Sequence, residues 1–250
     1  MFDKTSIYPF LAFLSLPCLL VLRHGDCAIG LIRSSCVPVG VLISAMSSTS
    51  FLGLMVDPEE ATMGSRLAFA PIALGIIYSY LFSLLGKYQN KPFSVSRHEG
   101  IILGISAFIL LAFTVHFTSM GAGTFVDLDA LLIVLVVTLV CFVYDGFGKL
   151  NVIEKLNRAA LFSCITAAVT GIALYSYGAA VGPRYMGPPA ALAFITSAYG
   201  AFMAYVTILL GGQNSYTEKE ARYFDWHLIE SWAFLALMTL PPLTLLESFA

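Results

Sequence analysis

The sequence predicts an all-α integral membrane protein of about eight helices in two related four-helix halves, and three observations carry that prediction. Charged residues make up only 11% of the 250-residue chain and hydrophobic residues 58%, whereas a soluble domain is about a quarter charged. The mean hydropathy is +0.85, and the apolar residues fall in runs of spanning length from end to end. One such run is also written twice. Residues 192–214 (LAFITSAYGAFMAYVTILLGGQN) repeat residues 67–90 (LAFAPIALGIIYSYLFSLLGKYQN), with one residue of slack after the LLG. The matches include Leu67/Leu192, Phe69/Phe194, Gly75/Gly200, Tyr80/Tyr205, Leu84/Leu209, Gln89/Gln213 and Asn90/Asn214. A self-match of this kind is the signature of internal duplication.

The runs are justified in order. Residues 6–22 form the first, closed by Arg23, His24 and Asp26; residues 36–56 form the second, closed by Asp57, Pro58, Glu59 and Glu60. The third is 67–86, the fourth 101–118, and the fifth 129–147 with Asp145 near its far end. The sixth is 159–181, the seventh 189–211 and the eighth 227–246. At 1.5 Å per residue these lengths match a hydrocarbon core of roughly 30 Å. Helices are required, because a lone strand would leave backbone groups unsatisfied in lipid.

Loop charge sets the expected orientation. The N-terminus, the even loops and the C-terminus carry Lys4, Arg66 and Arg184. The odd loops carry Arg23, Arg33, Lys87, Lys91, Arg97, Lys149, Lys155, Arg158, Lys219 and Arg222. By the positive-inside rule the odd loops face the cytoplasm and both termini face the other side. The first run is expected to be a retained helix, since a cleaved signal peptide would place Arg23 and Arg33 outside and invert every later loop.

The repeat extends beyond the paired runs. Met63-Gly64 and Met186-Gly187 precede the copies; Arg97 and Arg222 follow them, then Ala107-Phe108 and Ala233-Phe234. The period is about 124 residues, which divides the chain into halves of residues 1–126 and 127–250. An even number of helices per half leaves both halves the same way up, with the pseudo-twofold axis along the membrane normal.

The richest polar stretch, EKEARYFDWHLIE, holds Arg222, Asp225, His227 and Glu230 at the cytoplasmic start of the eighth run. His227 and Glu230 are three apart and share a helix face. An ionisable group inside an apolar span is expensive unless paired or wet, so a proton or cation site is one reading. The other is an interfacial anchor, with Tyr223 and Trp226 at the headgroups and Arg222 neutralising the acids. The first half has a counterpart in Arg97, His98 and Glu99 at the start of the fourth run. These fit either a site on the pseudo-axis or a second anchor. Hydroxyls on the second, third and seventh runs, among them Ser47, Ser48, Tyr80 and Tyr205, either line a polar cavity or bond to neighbouring carbonyls in tight helix packing.

The words ARYFDW after YVTILLGGQN resemble the stretch of microbial rhodopsins in which R-Y-x-D-W supplies the retinal counter-ion. The resemblance is local, and no lysine lies inside any run to form a Schiff base, which excludes covalent retinal. The five cysteines form no C-x-x-C and read as small packing residues. No Walker A, H-E-x-x-H or G-x-S-x-G stretch occurs, and a single H-x-x-E is too few ligands for a metal. No cofactor is expected, and a net charge of −2 gives no reason to expect nucleic acid.

Two functional expectations follow. The halves, in a lone chain or a homo-oligomer, enclose a path for a small solute or ion, with Glu230, His227 and Asp225 at its cytoplasmic side; or the chain is a non-catalytic subunit packed against other membrane chains. A lipid-modifying enzyme is third, since it needs a denser cluster of His and acid groups.

Overall fold

The computed structural model describes residues 4–24, 29–52, 70–82, 84, 95–117, 127–143, 152–181 and 187–210. All regular structure among them is helical: α1 (Lys4–His24), α2 (Ile29–Leu52), α3 (Ala70–Phe82), α4 (Arg97–Phe117), α5 (Leu128–Val143), α6 (Val152–Val181) and α7 (Gly187–Leu209). They correspond in order to the first seven apolar runs. The eighth run, with Arg222, Asp225, His227, Glu230 and Pro241-Pro242, lies outside the described residues.

Helices α2, α4 and α6 start well before their runs and α1 ends after its own, and this corrects the loop count above: Arg23, Arg33, Arg97, Lys155 and Arg158 sit on helices rather than in loops. Hydropathy marks only the lipid-immersed part of a helix. The backbone ladder continues into the headgroup region, where charged side chains are solvated.

Four of the helices hold a stretch long and apolar enough to cross a membrane: Ile7–His24, Ile29–Thr49, Arg97–His116 and Ala191–Leu209. α2 and α7 form the centre. α7 packs on α2, α4, α5 and α6, while α1 packs on α2 and α4, and α5 packs on α6. α3 lies against α2, where a Cβ on Gly40 would come 2.8 Å from the Pro71 carbonyl and one on Gly75 2.7 Å from the Cys36 carbonyl. Only glycine permits backbones that close. Phe10 of α1 also stacks on Tyr78 of α3 at 6.1 Å.

On α4 and α5 large apolar side chains face outward, where a soluble protein would place polar ones. On α4, Gly100, Leu103, Gly104 and Ala107 face inward, while Ile101, Ile102, Ile105, Phe108, Ile109 and Phe113 are exposed. On α5, Ala130, Val134 and Thr138 are buried, while Leu132, Leu135, Val136, Leu139 and Val140 face outward. Small residues at helix contacts and large apolar ones outside suit a lipid solvent, in which close packing rather than water expulsion holds helices together.

Contacts between helix ends fix the up-and-down order. The end of α1 meets the start of α4 (Arg23–Glu99, 2.9 Å). The start of α4 meets the end of α7, where a Cβ on Gly100 would lie 3.3 Å from the Leu209 carbonyl. The start of α6 meets that same end of α7 through Asn157. These four ends therefore share one end of the bundle.

Candidate functional site

Two groupings of polar residues emerge. The first is built around Glu99 at the shared end. Ser96 precedes α4 and Glu99 is its third residue, the S-x-x-E spacing of a capping box. The Glu99 amide donates to Ser96 Oγ (3.3 Å). In return Glu99 Oε2 accepts from the Ser96 amide (3.2 Å) and hydroxyl (2.7 Å). A carboxylate there also complements the positive end of the helix dipole. The other oxygen, Oε1, reaches α1: Arg23 Nη1 lies at 2.9 Å and His24 Nε2 at 3.1 Å. One carboxylate thus starts α4 and ties it to α1. The Arg23 side chain is 70% exposed, so the tie is screened by salt and modest in strength.

Of the sequence-derived triplet, only Glu99 joins this cluster; Arg97 and His98 are exposed. Arg23 and His24 were not foreseen as its partners, because nothing local in the sequence pairs positions so far apart. Among the described residues, no three His, Cys, Asp or Glu side chains are grouped as a metal site requires.

The second grouping is a polar seam inside the bundle. Ser35, Ser44 and Ser48 on α2, Asn157 and Ser163 on α6, and Thr196, Ser197 and Thr207 on α7 are all buried. Several hydroxyls bond back to their own helix: Ser48 to the Ser44 carbonyl (2.6 Å), Ser163 to Ala160 (2.7 Å) and Thr207 to Ala204 (2.8 Å). This is how hydroxyls are accommodated in apolar helices. Others cross between helices. Ser44 Oγ accepts from the Ile72 amide near the start of α3 (3.1 Å). Asn157 Nδ2 donates to the Ala204 carbonyl (3.1 Å) and to Thr207 Oγ1 (2.8 Å). Cys164 Sγ donates to the Ser197 carbonyl (3.0 Å).

The four hydroxyl residues named from sequence are not brought together. Ser48 is buried and bonded within α2, and Ser47 is half-buried beside it. Tyr205 is fully buried on α7, where its hydroxyl donates to the Phe13 carbonyl of α1 and its ring meets Phe13 edge-on at 5.6 Å. Tyr80, its mate in the expected repeat, is exposed. Asn157 was missed by the sequence reading. Its signal was its place on one α6 face with Ala160, Cys164 and Ala167, all buried.

Two buried side-chain oxygens, Ser197 Oγ on α7 and Thr138 Oγ1 on α5, have no hydrogen-bond partner among the described residues. A hydroxyl in that state costs about 1–3 kcal/mol unless water or a ligand answers it.

Comparison of the chain with protein-family models, with curated proteins and with solved structures finds no match. The class rests on the molecule itself. Its long apolar helices, with large apolar side chains turned outward on α4 and α5, point to an integral membrane location.

Proposed function

We propose that the chain is a multi-pass membrane transporter or channel for a small solute or ion, built as two related four-helix halves. The observation that carries the transport reading is Ser197: a fully buried hydroxyl with no partner among the described residues, inside a helix that carries much of the polar seam. Such a group fits an interior that water or a polar solute visits.

The relation of the halves is supported by equivalent contacts. Gly75 presses α3 onto α2 as Gly200 presses α7 onto α6, where a Cβ would come 3.1 Å from the Ala160 carbonyl. Ile72 and Ser197, also equivalent, each bond to the preceding helix through a backbone group, to Ser44 and Cys164 respectively. Arg23, Arg33, Arg97, Lys155 and Arg158 gather at the shared end of the bundle, which makes that end cytoplasmic by the positive-inside rule. With an eighth helix at 227–246, both termini lie on the opposite side. Arg222, Asp225, His227 and Glu230 then flank the cytoplasmic end with Glu99, and Glu230 serves as the proton or cation site.

Reconstitution into liposomes tests this. Stopped-flow swelling with small polar solutes, together with pH-dye flux, is expected to show permeation above empty vesicles. In Glu230→Gln the pH dependence of that flux is expected to vanish; an unchanged pH profile removes Glu230 from the role. The alternative, a non-catalytic subunit, draws on the hydroxyls that close on their own helices. No flux, together with other chains co-purifying at fixed ratio in native mass spectrometry, would establish it instead.

A further inference from the structure

Two prolines stand inside α1, Pro9 and Pro17, and the second is answered by another helix. A proline has no backbone N–H, so the carbonyl four residues before it loses the donor that the helical ladder would supply. For Pro17 that carbonyl belongs to Phe13. It is also the carbonyl that accepts the Tyr205 hydroxyl of α7. The donor that Pro17 removes from α1 is thus replaced from α7. Phe13 and Tyr205 are both fully buried, where an unanswered carbonyl or hydroxyl is costly. Their rings meet edge-on at 5.6 Å, which sets the tyrosine beside the acceptor.

Different helices hold α1 on the two sides of Pro17. Before it, Phe10 stacks on Tyr78 of α3 and Phe13 meets Tyr205 of α7. After it, Arg23 and His24 reach Glu99 at the start of α4. A helix with a bond missing from its ladder bends at that turn in preference to others.

We infer that α1 is hinged at Pro17 and that the Tyr205 hydroxyl, standing in for the missing amide at the Phe13 carbonyl, is the latch that keeps the hinge shut. With the latch closed, the segment before Pro17 lies against α7. With it open, that segment swings about Pro17 while the segment after it stays tied to α4. Opening strips a partner from two buried polar groups at once, so it requires water or another donor and acceptor to enter between α1 and α7. Movement of α1 and wetting of this contact are therefore one event. The inference concerns the bundle itself and holds whether the chain conducts a solute or serves as a subunit.

A double-substitution cycle on the full-length chain in detergent tests the latch. Tyr205→Phe keeps the ring and removes the donor, and is expected to shift the unfolding equilibrium about fivefold toward the unfolded state. Pro17→Ala returns an amide to α1 and gives the Phe13 carbonyl its ladder donor, with a better helix former in place of proline. In that background the same Tyr205→Phe change is expected to cost less than about twofold, because the two substitutions act on one acceptor. Equal losses in both backgrounds, or none in either, overturn the latch. Pulsed-EPR distances then read the hinge, with spin labels carried on noncanonical amino acids. Val136 on the outer face of α5 is paired with Tyr8 or with Leu22, which lie before and after Pro17; all three are exposed. Tyr205→Phe is expected to broaden the 8–136 distances and leave the 22–136 distances as in the parent chain, and adding Pro17→Ala should narrow the first again. Broadening at both positions, or at neither, overturns the hinge.

Discussion

The α2–α3 and α6–α7 pairs use glycine at matching positions of the proposed repeat, Gly75 and Gly200, and hold it in different ways. At Gly75 the nearest obstacle to a Cβ is a backbone oxygen, that of Cys36 at 2.7 Å, with the Gly40 Cα at 3.4 Å behind it. At Gly200 it is a side-chain oxygen, Ser163 Oγ at 3.0 Å, with backbone atoms of Ala160 and Cys164 at 3.1 Å. The first pair is glycine against glycine, and it cannot yield without moving a helix. The second is glycine against serine, and can yield in part by turning a hydroxyl. It adds a side-chain amide clamp from Asn157 to Ala204 and Thr207. The first contact is thus held by shape and a hydrogen bond from the Ile72 backbone amide to Ser44, the second by a side-chain clamp.

Substitutions can break this contrast in graded steps. Gly75→Ala is expected to be the most damaging, costing about 2–3 kcal/mol, near the top of the range for overpacking, as read by unfolding of the purified protein in detergent. Gly200→Ala should cost about 1–2 kcal/mol on the same reasoning; equal losses in the two variants would erase the distinction between the pairs. Asn157→Ala is expected to remove about 1 kcal/mol, in line with measured interhelical hydrogen bonds in membranes. The double variant with Gly200→Ala should lose more than the sum, because both act on the same helix pair. Tyr205→Phe removes one hydrogen bond to the Phe13 carbonyl while keeping the ring contact, at a cost of about 1 kcal/mol. Smallest of all is Glu99→Gln, whose thermal midpoint should differ from that of the parent chain only at low salt. A difference that persists in high salt would mean that the Arg23–Glu99 tie is shielded from solvent.

The fold was legible where apolar length decides it and illegible where polar residues continue a helix. Seven runs became helices in order, because a segment in lipid has little choice but to close its own hydrogen bonds. The starts of α2, α4 and α6 were misplaced because Arg33, Arg97 and Lys155 look like loop residues to a hydropathy count. The start of α4 could have been found, since Ser96 and Glu99 spell a capping box. Glu99 had been weighed only as an ion site or anchor. Its partners, Arg23 and His24, are set by the packing of α1 on α4, which no local pattern encodes. Ser48 and Tyr205 carried two readings in the sequence, cavity or packing, because a hydroxyl does not announce its acceptor. The structure supplies one in each case: a carbonyl in the same helix for Ser48 and a carbonyl of α1 for Tyr205.

The bond from the Ile72 amide to Ser44 Oγ bears on how the chain is made. A backbone amide in an apolar surrounding needs an acceptor, and lipid offers none. Pro71, just before it, has no N–H to satisfy, and the Ile72 amide after it takes a side-chain acceptor. That acceptor is carried by α2, and Gly40 and Gly75 let the two backbones come close enough to deliver it. α3 is therefore at ease in the bilayer only once α2 stands beside it. During synthesis the two would partition out of the translocation channel together, as a hairpin, rather than one helix at a time.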